Sequence, residues 1–267
     1  KEIGEFFMAA GIKIIEGYGL TETAPVVSAN PMNRPRFGTV GHVLPGVTIA
    51  IQRLEDREIV GQLSGNDYPS NLSTDEGEIL VKGPNIMKGY WNDEAATREA
   101  FDEGGWYHTG DVGRFDEGYL TITDRVKHMI VSKGGKNIYP GPIEDQFTTN
   151  QWIDQIMVVG EAREFLCALV VPDFEALEQY ARTEEISFTD TDNLLEKPEI
   201  QSLFKDIFRD YSRKAASHEK IRRFRLLSDP FTVENGLMTP TLKLRRKKIE
   251  AAYGDVIDAM YEEVLSR

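Results

Sequence analysis

The stretch LTITDRVKHMIVSKGGKNIYPGPIE, Leu120 to Glu144, divides the chain. It opens as a strand, with Leu120, Ile122 and the β-branched Thr121 and Thr123. The charged run Asp124 to His128 follows, then a second apolar run, Met129-Ile130-Val131, and the glycine pair Gly134-Gly135. Pro142 heads a helix-like PIEDQF, with Glu144 and Asp145 where acids complement the positive end of a helix dipole. Polar, flexible residues between two strand-like runs have the composition of a domain junction. By itself the stretch reads rather as a hairpin with a solvated turn, and the rest of the chain reverses that.

At 267 residues, with 40% apolar and 28% charged residues, the chain has material for one large or two medium domains. A net charge of -13 argues against general nucleic-acid binding but leaves room for a local anion site. The single cysteine, Cys167, cannot form an internal disulfide, which points to a reducing, cytoplasmic setting. It lies in the apolar run FLCALVVP and reads as a buried structural thiol. No apolar run approaches the roughly 20 residues that span a bilayer. The four histidines show no metal-ligand spacing.

Residues 1–11 place Ile3, Phe6, Phe7 and Ala10 at helical spacing, ending at Gly11, and Ile12, Ile14 and Ile15 read as a short buried strand. From Phe37 to Gly89 short strands alternate with Gly/Pro turns, which suggests a small barrel or sandwich-like subdomain interrupted by an exposed loop over Glu55 to Gly77. Asn92 is placed to cap a helix that Gly104-Gly105 ends. Asp116-Glu117-Gly118 signals a tight turn. Past the junction, Gln155–Val159 and Leu166–Val171 read as paired strands and Asp173 as the cap of FEALEQYAR. Leu194–Lys214 reads as one amphipathic helix, Lys220–Leu227 as an edge strand and Ile249–Leu265 as a closing helix. Trp91 and Trp106 read as core anchors.

Seven blocks, in this order, carry a resemblance: EGYGLTETAPVVS (from Glu16), GTVGHVLPGV (from Gly38), GEILVKGPNIMKGYWN (from Gly77), GWYHTGD (from Gly105), GGKNIYPGPIE (from Gly134), ALVVPDFEALE (from Ala168) and MTPTLKLRR (from Met238). The chain resembles the adenylate-forming superfamily of acyl-CoA synthetases, peptide-synthetase adenylation domains and luciferase, and within it long-chain fatty acid–CoA ligases. The resemblance implies an α/β and α+β fold. Residues 1–124 would be the end of a large N-terminal domain, a sheet edge plus a small β-barrel-like subdomain. Residues 125–267 would be a small, mobile C-terminal α+β domain. It also implies a fragment, with a phosphate-binding loop and most of an acyl pocket upstream.

The implied substrates are a fatty acid, ATP (leaving AMP) and CoA, with Mg²⁺. An acyl substrate also implies peripheral contact with a membrane. The resemblance gives Glu22 as the metal carboxylate, Thr21 as a phosphate donor, and Tyr18 along adenine, with Gly17 and Gly19 admitting the backbone. Asp111 is the implied ribose ligand and Arg125 a contact to ribose and phosphate. Ile122 would lie by the nucleoside, although core packing explains it equally. Lys127 is the implied hinge. Gly134, beside Gly135, would flank the pantetheine arm, with Lys136 near phosphates, although Lys133 replaces the small residue common before this pair. Lys243 is the implied adenylation lysine, preceded by Leu242 where many relatives have glycine. Transfer to a carrier protein is an alternative outcome, and a non-catalytic nucleotide-binding module is another.

Overall fold

The computed structural model describes residues 2–67 and 70–265. In chain order it begins with α1 (Glu2–Ala9), followed by β1 (Gly17–Gly19), β2 (Val26–Ala29) and β3 (His42–Val43), which pair antiparallel in a three-stranded sheet of order β1-β2-β3. Next come β4 (Thr48–Gln52), β5 (Ile59–Ser64), β6 (Gly77–Lys82), α2 (Glu94–Ala100), β7 (Tyr107–Asp116) and β8 (Tyr119–Arg125). These five strands make an open antiparallel sheet, β5-β4-β6-β7-β8, rather than a closed barrel. Ile49, Ile51, Ile79 and Val81 point into a core shared with Tyr18, Val27, Phe115 and Leu120, while Ala50, Leu80 and Trp106 pack on the other face. That alternation is the pleat expressed as burial.

The chain divides into two compact units, Lys1–Lys127 and His128–Arg267. The second contains β9 (Ile130–Val131), β10 (Asn137–Ile138), α3 (Pro140–Asp145), β11 (Ile153–Val159), β12 (Leu166–Pro172), α4 (Phe174–Thr183), α5 (Thr191–Leu195), α6 (Pro198–Lys214), β13 (Ile221–Leu226), α7 (Arg246–Ala252) and α8 (Gly254–Leu265). β12 lies between antiparallel β11 and parallel β13, and every residue of it is buried. One face carries Val158, Ala168 and Val170 under Phe147, Leu177, Phe204 and Phe208. The other carries Met157, Cys167 and Leu169 under Ile249, Ile257 and Met260. A strand covered on both faces needs an unbroken apolar run, which is what LCALVVP supplies. Burial raises the Cys167 thiol to about 11, as suits a structural residue.

Several local expectations are corrected. Ile12, Ile14 and Ile15 form no strand, and Ile12 and Ile15 are exposed, because no partner strand lies beside them among the described residues. The supposed loop over 55–77 contains β5, an edge strand too half-exposed to need an apolar sequence. The cap of α2 is Asp93, whose side chain accepts from the Ala96 N–H (2.9 Å), while Asn92 precedes it at φ 52°. Pro140, not Pro142, begins α3. Leu194–Lys214 is two helices, since Pro198 holds Lys197 extended (φ -60°, ψ 133°) and starts α6. The closing helix breaks at Tyr253, between α7 and α8. Trp91 is 91% exposed, whereas Trp106 is buried under the Lys82 ammonium. The turn at Glu117-Gly118 has positive φ at both residues, the backbone that matches strand twist in a two-residue hairpin.

Candidate functional site

The β7–β8 hairpin and the turn after β1 bring the first unit's candidates together. Asp111 lies in β7, buried, and accepts from the Tyr18 hydroxyl at 2.6 Å. Arg125, at the end of β8, is cross-strand to Asp111 and places Nε 2.8 Å from Oδ1. That N–H is not aimed along the contact, so the pair is an ion pair rather than an aligned hydrogen bond. Arg125 Nη2 donates to the Thr109 carbonyl at 3.4 Å. Of the carboxylate's four or so acceptor positions one takes the Tyr18 hydrogen bond, beside the Arg125 ion pair. Burial and the Asp111 charge push the Tyr18 phenol far above its ordinary range, so it stays a neutral donor.

Tyr18 belongs to the core of this unit. Gly19 has a reason inside the fold, because an added Cβ would sit 1.6 Å from the Pro25 carbonyl. Thr21-Glu22-Thr23 is a single 3₁₀ turn. Buried Thr23 fixes it: its hydroxyl accepts from the Leu20 N–H (2.8 Å) and lies 2.7 Å from the Pro25 carbonyl. Asn85 Nδ2 donates to the Thr23 carbonyl (2.7 Å), and the Met87 N–H donates to that of Glu22 (2.8 Å). Thr21 is left exposed and Glu22 partly exposed. Ile122 packs against the core from its margin.

A cleft of about 720 Å³ runs along this unit, lined by Glu22, Tyr90, Tyr107, Thr109, Gly110 and Arg125 among others. Its floor is organised by Glu78, which accepts from the Gly110 N–H (3.1 Å) and bonds His108 Nδ1 (3.0 Å). That bond holds the His108 ring above its ordinary value. The Tyr90 hydroxyl donates to Glu22 Oε1 at 3.1 Å, and Tyr107 lines the same cleft. Glu78, Tyr90 and Tyr107 are absent from the sequence reading. The contact between Tyr90 and Glu22 spans 68 residues and leaves no local signal. Among the described residues no three His, Cys, Asp or Glu side chains form a metal cage. Glu22 is a single, partly exposed carboxylate, which could hold a cation only alongside oxygens from another group.

In the second unit, Gly134 and Gly135 form a turn closed by the Gly135 N–H to the Ser132 carbonyl (2.8 Å) and the Ser132 N–H to that of Lys136 (3.0 Å). Gly135 needs its glycine, at φ 71°. Gly134 does not: an added Cβ would meet only Ser132 Oγ at 3.9 Å. Lys136 is exposed in the same turn, and Lys127, also exposed, ends the first unit. Lys243 stands on a different support. Its N–H donates to Thr239 Oγ1 (3.0 Å) and its carbonyl accepts from the Thr239 N–H (2.8 Å). Leu242 beside it is 70% exposed with φ 57°. The loop's far end is anchored by Arg246, which bonds both oxygens of Glu144 (2.8 and 3.0 Å) and the Val158 carbonyl. Glu144 also accepts from the Val158 N–H (2.7 Å), so the pair caps the outer edge of β11.

Residues 1–91 match the AMP-binding enzyme family, and residues 127–265 match the AMP-binding enzyme C-terminal domain. The chain is 36% identical over 98% of its length to long-chain-fatty-acid–CoA ligase FadD15 of Mycobacterium tuberculosis, and spans 40% of that relative. It is 32% identical over 97% of its length to the chloroplastic long-chain-fatty-acid–[acyl-carrier-protein] ligase AEE15 of Arabidopsis thaliana, spanning 34% of it. The adenylation domain of a carboxylate reductase from Mycobacterium chelonae superposes with a TM-score of 0.71 at 30% identity, over 98% of this chain and 37% of that one. O-succinylbenzoate coenzyme A synthetase from Bacillus subtilis, in complex with AMP, gives 0.65 at 25%, over 93% and 43%. No helix among the described residues is long and apolar enough to cross a membrane. With both matched segments in order and the same mixed fold in solved adenylation domains, the chain belongs to the AMP-binding enzyme family.

Proposed function

We propose that the chain is the C-terminal portion of an AMP-forming long-chain fatty acid–CoA ligase. Such an enzyme joins a fatty acid and ATP to give acyl-AMP and pyrophosphate, then passes the acyl group to the CoA thiol and releases AMP. The observation that carries this reading is Asp111, held between Tyr18 and Arg125, with Gly110 and Arg125 lining the cleft that also contains Glu22. A carboxylate fixed in place, with acceptor capacity to spare, suits the two vicinal hydroxyls of a ribose.

In adenylation a carboxylate oxygen attacks the α-phosphate and pyrophosphate leaves, so the barrier is partly repulsion between anions. Glu22 would hold Mg²⁺, which when bound offsets that charge. Thr21 would donate to phosphate from its exposed turn, and Arg125 would add a cation beside the ribose. Tyr18 would back the nucleoside with Gly17 and Gly19, and Ile122 would flank it. Lys243 would be carried to the α-phosphate on its prefolded loop. In the second step the thiol attacks the acyl carbon and AMP leaves. Gly134 would leave the pantetheine path open, which fits a glycine that its own turn does not need. Gly135 would shape that turn and Lys136 would meet phosphate. The two steps would use two poses of a small domain, residues 125–267, about Lys127, against the end of a larger domain, residues 1–124.

A second reading, transfer to an acyl carrier protein, is favoured by the similarity to the AEE15 ligase. In the full-length protein, palmitate and ATP supplied with either CoA or a phosphopantetheinylated carrier separate the two. Palmitoyl-CoA formation supports the first, and exclusive carrier loading supports the second. No ATP–pyrophosphate exchange with any fatty acid overturns both.

A further inference from the structure

Glu22 is pinned through its backbone, but a three-bond side chain on a partly exposed turn would still sample several rotamers. One tyrosine removes much of that freedom. The Tyr90 hydroxyl donates to Glu22 Oε1 at 3.1 Å. Tyr90 is itself braced: its N–H donates to Thr97 Oγ1 (2.9 Å), and it bridges to Asp93. Gly89, at φ 153°, brings the backbone against Thr97, where a Cβ would lie 2.7 Å from the side chain. The bracing runs from α2 through Tyr90 to one carboxylate oxygen and leaves the other oxygen of Glu22 outside that contact.

We propose that Tyr90 is a positioning residue that aims the Glu22 carboxylate at the metal–nucleotide. This rests on the reading of Glu22 as the metal carboxylate. Outer hydrogen-bond partners of a ligating carboxylate are worth about 10–100-fold in metal affinity or activity. A purely structural tie between the loop at Tyr90 and the Glu22 turn would instead weaken every ligand alike.

The test uses the full-length protein with Tyr90→Phe and Glu22→Gln. Calorimetry and Mn²⁺ electron paramagnetic resonance measure Mn²⁺–ATP binding without fatty acid, and calorimetry measures AMP binding in chelator. Tyr90→Phe is expected to weaken Mn²⁺–ATP about tenfold and leave metal-free AMP binding unchanged, and the Mg²⁺ requirement of pyrophosphate exchange should rise in parallel. If Glu22→Gln weakens Mn²⁺–ATP but Tyr90→Phe shifts it less than twofold, or shifts AMP equally, the positioning role is overturned while Glu22 stands. If Glu22→Gln leaves Mn²⁺–ATP unchanged, the reading of Glu22 falls and takes the positioning role with it.

Discussion

Tyr18 and Asp111, 93 residues apart in sequence, meet at 2.6 Å inside the first unit. The bond ties β1 to the long strand β7 and leaves Asp111 an oriented acceptor. Tyr18→Phe keeps the ring in the core and removes the donor from a buried carboxylate. It should lower the stability of this unit by about 1.5–3 kcal/mol, the worth of a hydrogen bond to a charged group. Urea unfolding followed by fluorescence checks it; an unchanged midpoint would mean that Asp111 is satisfied by Arg125 alone.

Arg246 and Glu144 should behave as a buried pair, since their side chains are only 12% and 15% exposed. Arg246→Met is expected to cost about 3–5 kcal/mol, because it strands a buried carboxylate. Adding Glu144→Leu should recover only part of this, since the Val158 N–H and carbonyl lose their partners at the edge of β11. A double-mutant cycle from denaturant midpoints measures both quantities.

Leu242 carries a backbone that glycine adopts freely, at φ 57°. Left-handed backbone costs a non-glycine residue about 1–2 kcal/mol, against roughly 0.5–1 kcal/mol of extra chain entropy lost by glycine. Leu242→Gly should therefore leave the second unit equally stable or more stable by up to about 1 kcal/mol. A thermal melt that drops would show that the exposed Leu242 side chain makes a contact worth more than the strain.

His108 titrates above its ordinary value, mainly through its bond to Glu78. The protonated ring is the better bound form when folded, so the pair's contribution is fully present below about pH 6.5 and is lost as pH rises through the raised value. Glu78→Gln keeps an oxygen for the Gly110 N–H but removes the charge. Its destabilisation should be largest near pH 5.5 and shrink by pH 9, as read by denaturant midpoints across that range.

The sequence disclosed most where one physical pattern acted alone. Continuous apolar runs made β11 and β12 plain because both faces are covered, and Asp173 caps α4 as expected, accepting from the Ala176 N–H at 2.9 Å. The half-exposed edge strand β5 had no apolar period to betray it, and Ile12–Ile15 had the composition of a strand with no partner strand among the described residues. The ordered motifs picked out Glu22 and Arg125, which line the cleft, and Asp111, cross-strand from Arg125. They gave no role to Tyr90 or Glu78, because each acts through a contact with a residue distant in sequence. The same holds for Arg246, which looked like part of a solvated basic run and is instead half of a buried pair.

The central claim is that the Lys243 loop and the Gly134 turn serve successive steps of one ligation, and half-reaction kinetics on two variants of the full-length protein test it most directly. Gly134→Leu is a clean probe, since a Cβ at that position meets no close contact in its own unit. Lys243→Ala is predicted to lower palmitate-dependent ATP–pyrophosphate exchange by roughly 10²–10³-fold, the scale of one preorganised donor lost, while synthetic palmitoyl-AMP and CoA still react normally. Gly134→Leu is predicted to do the reverse. Equal loss of both half-reactions in both variants would contradict the account.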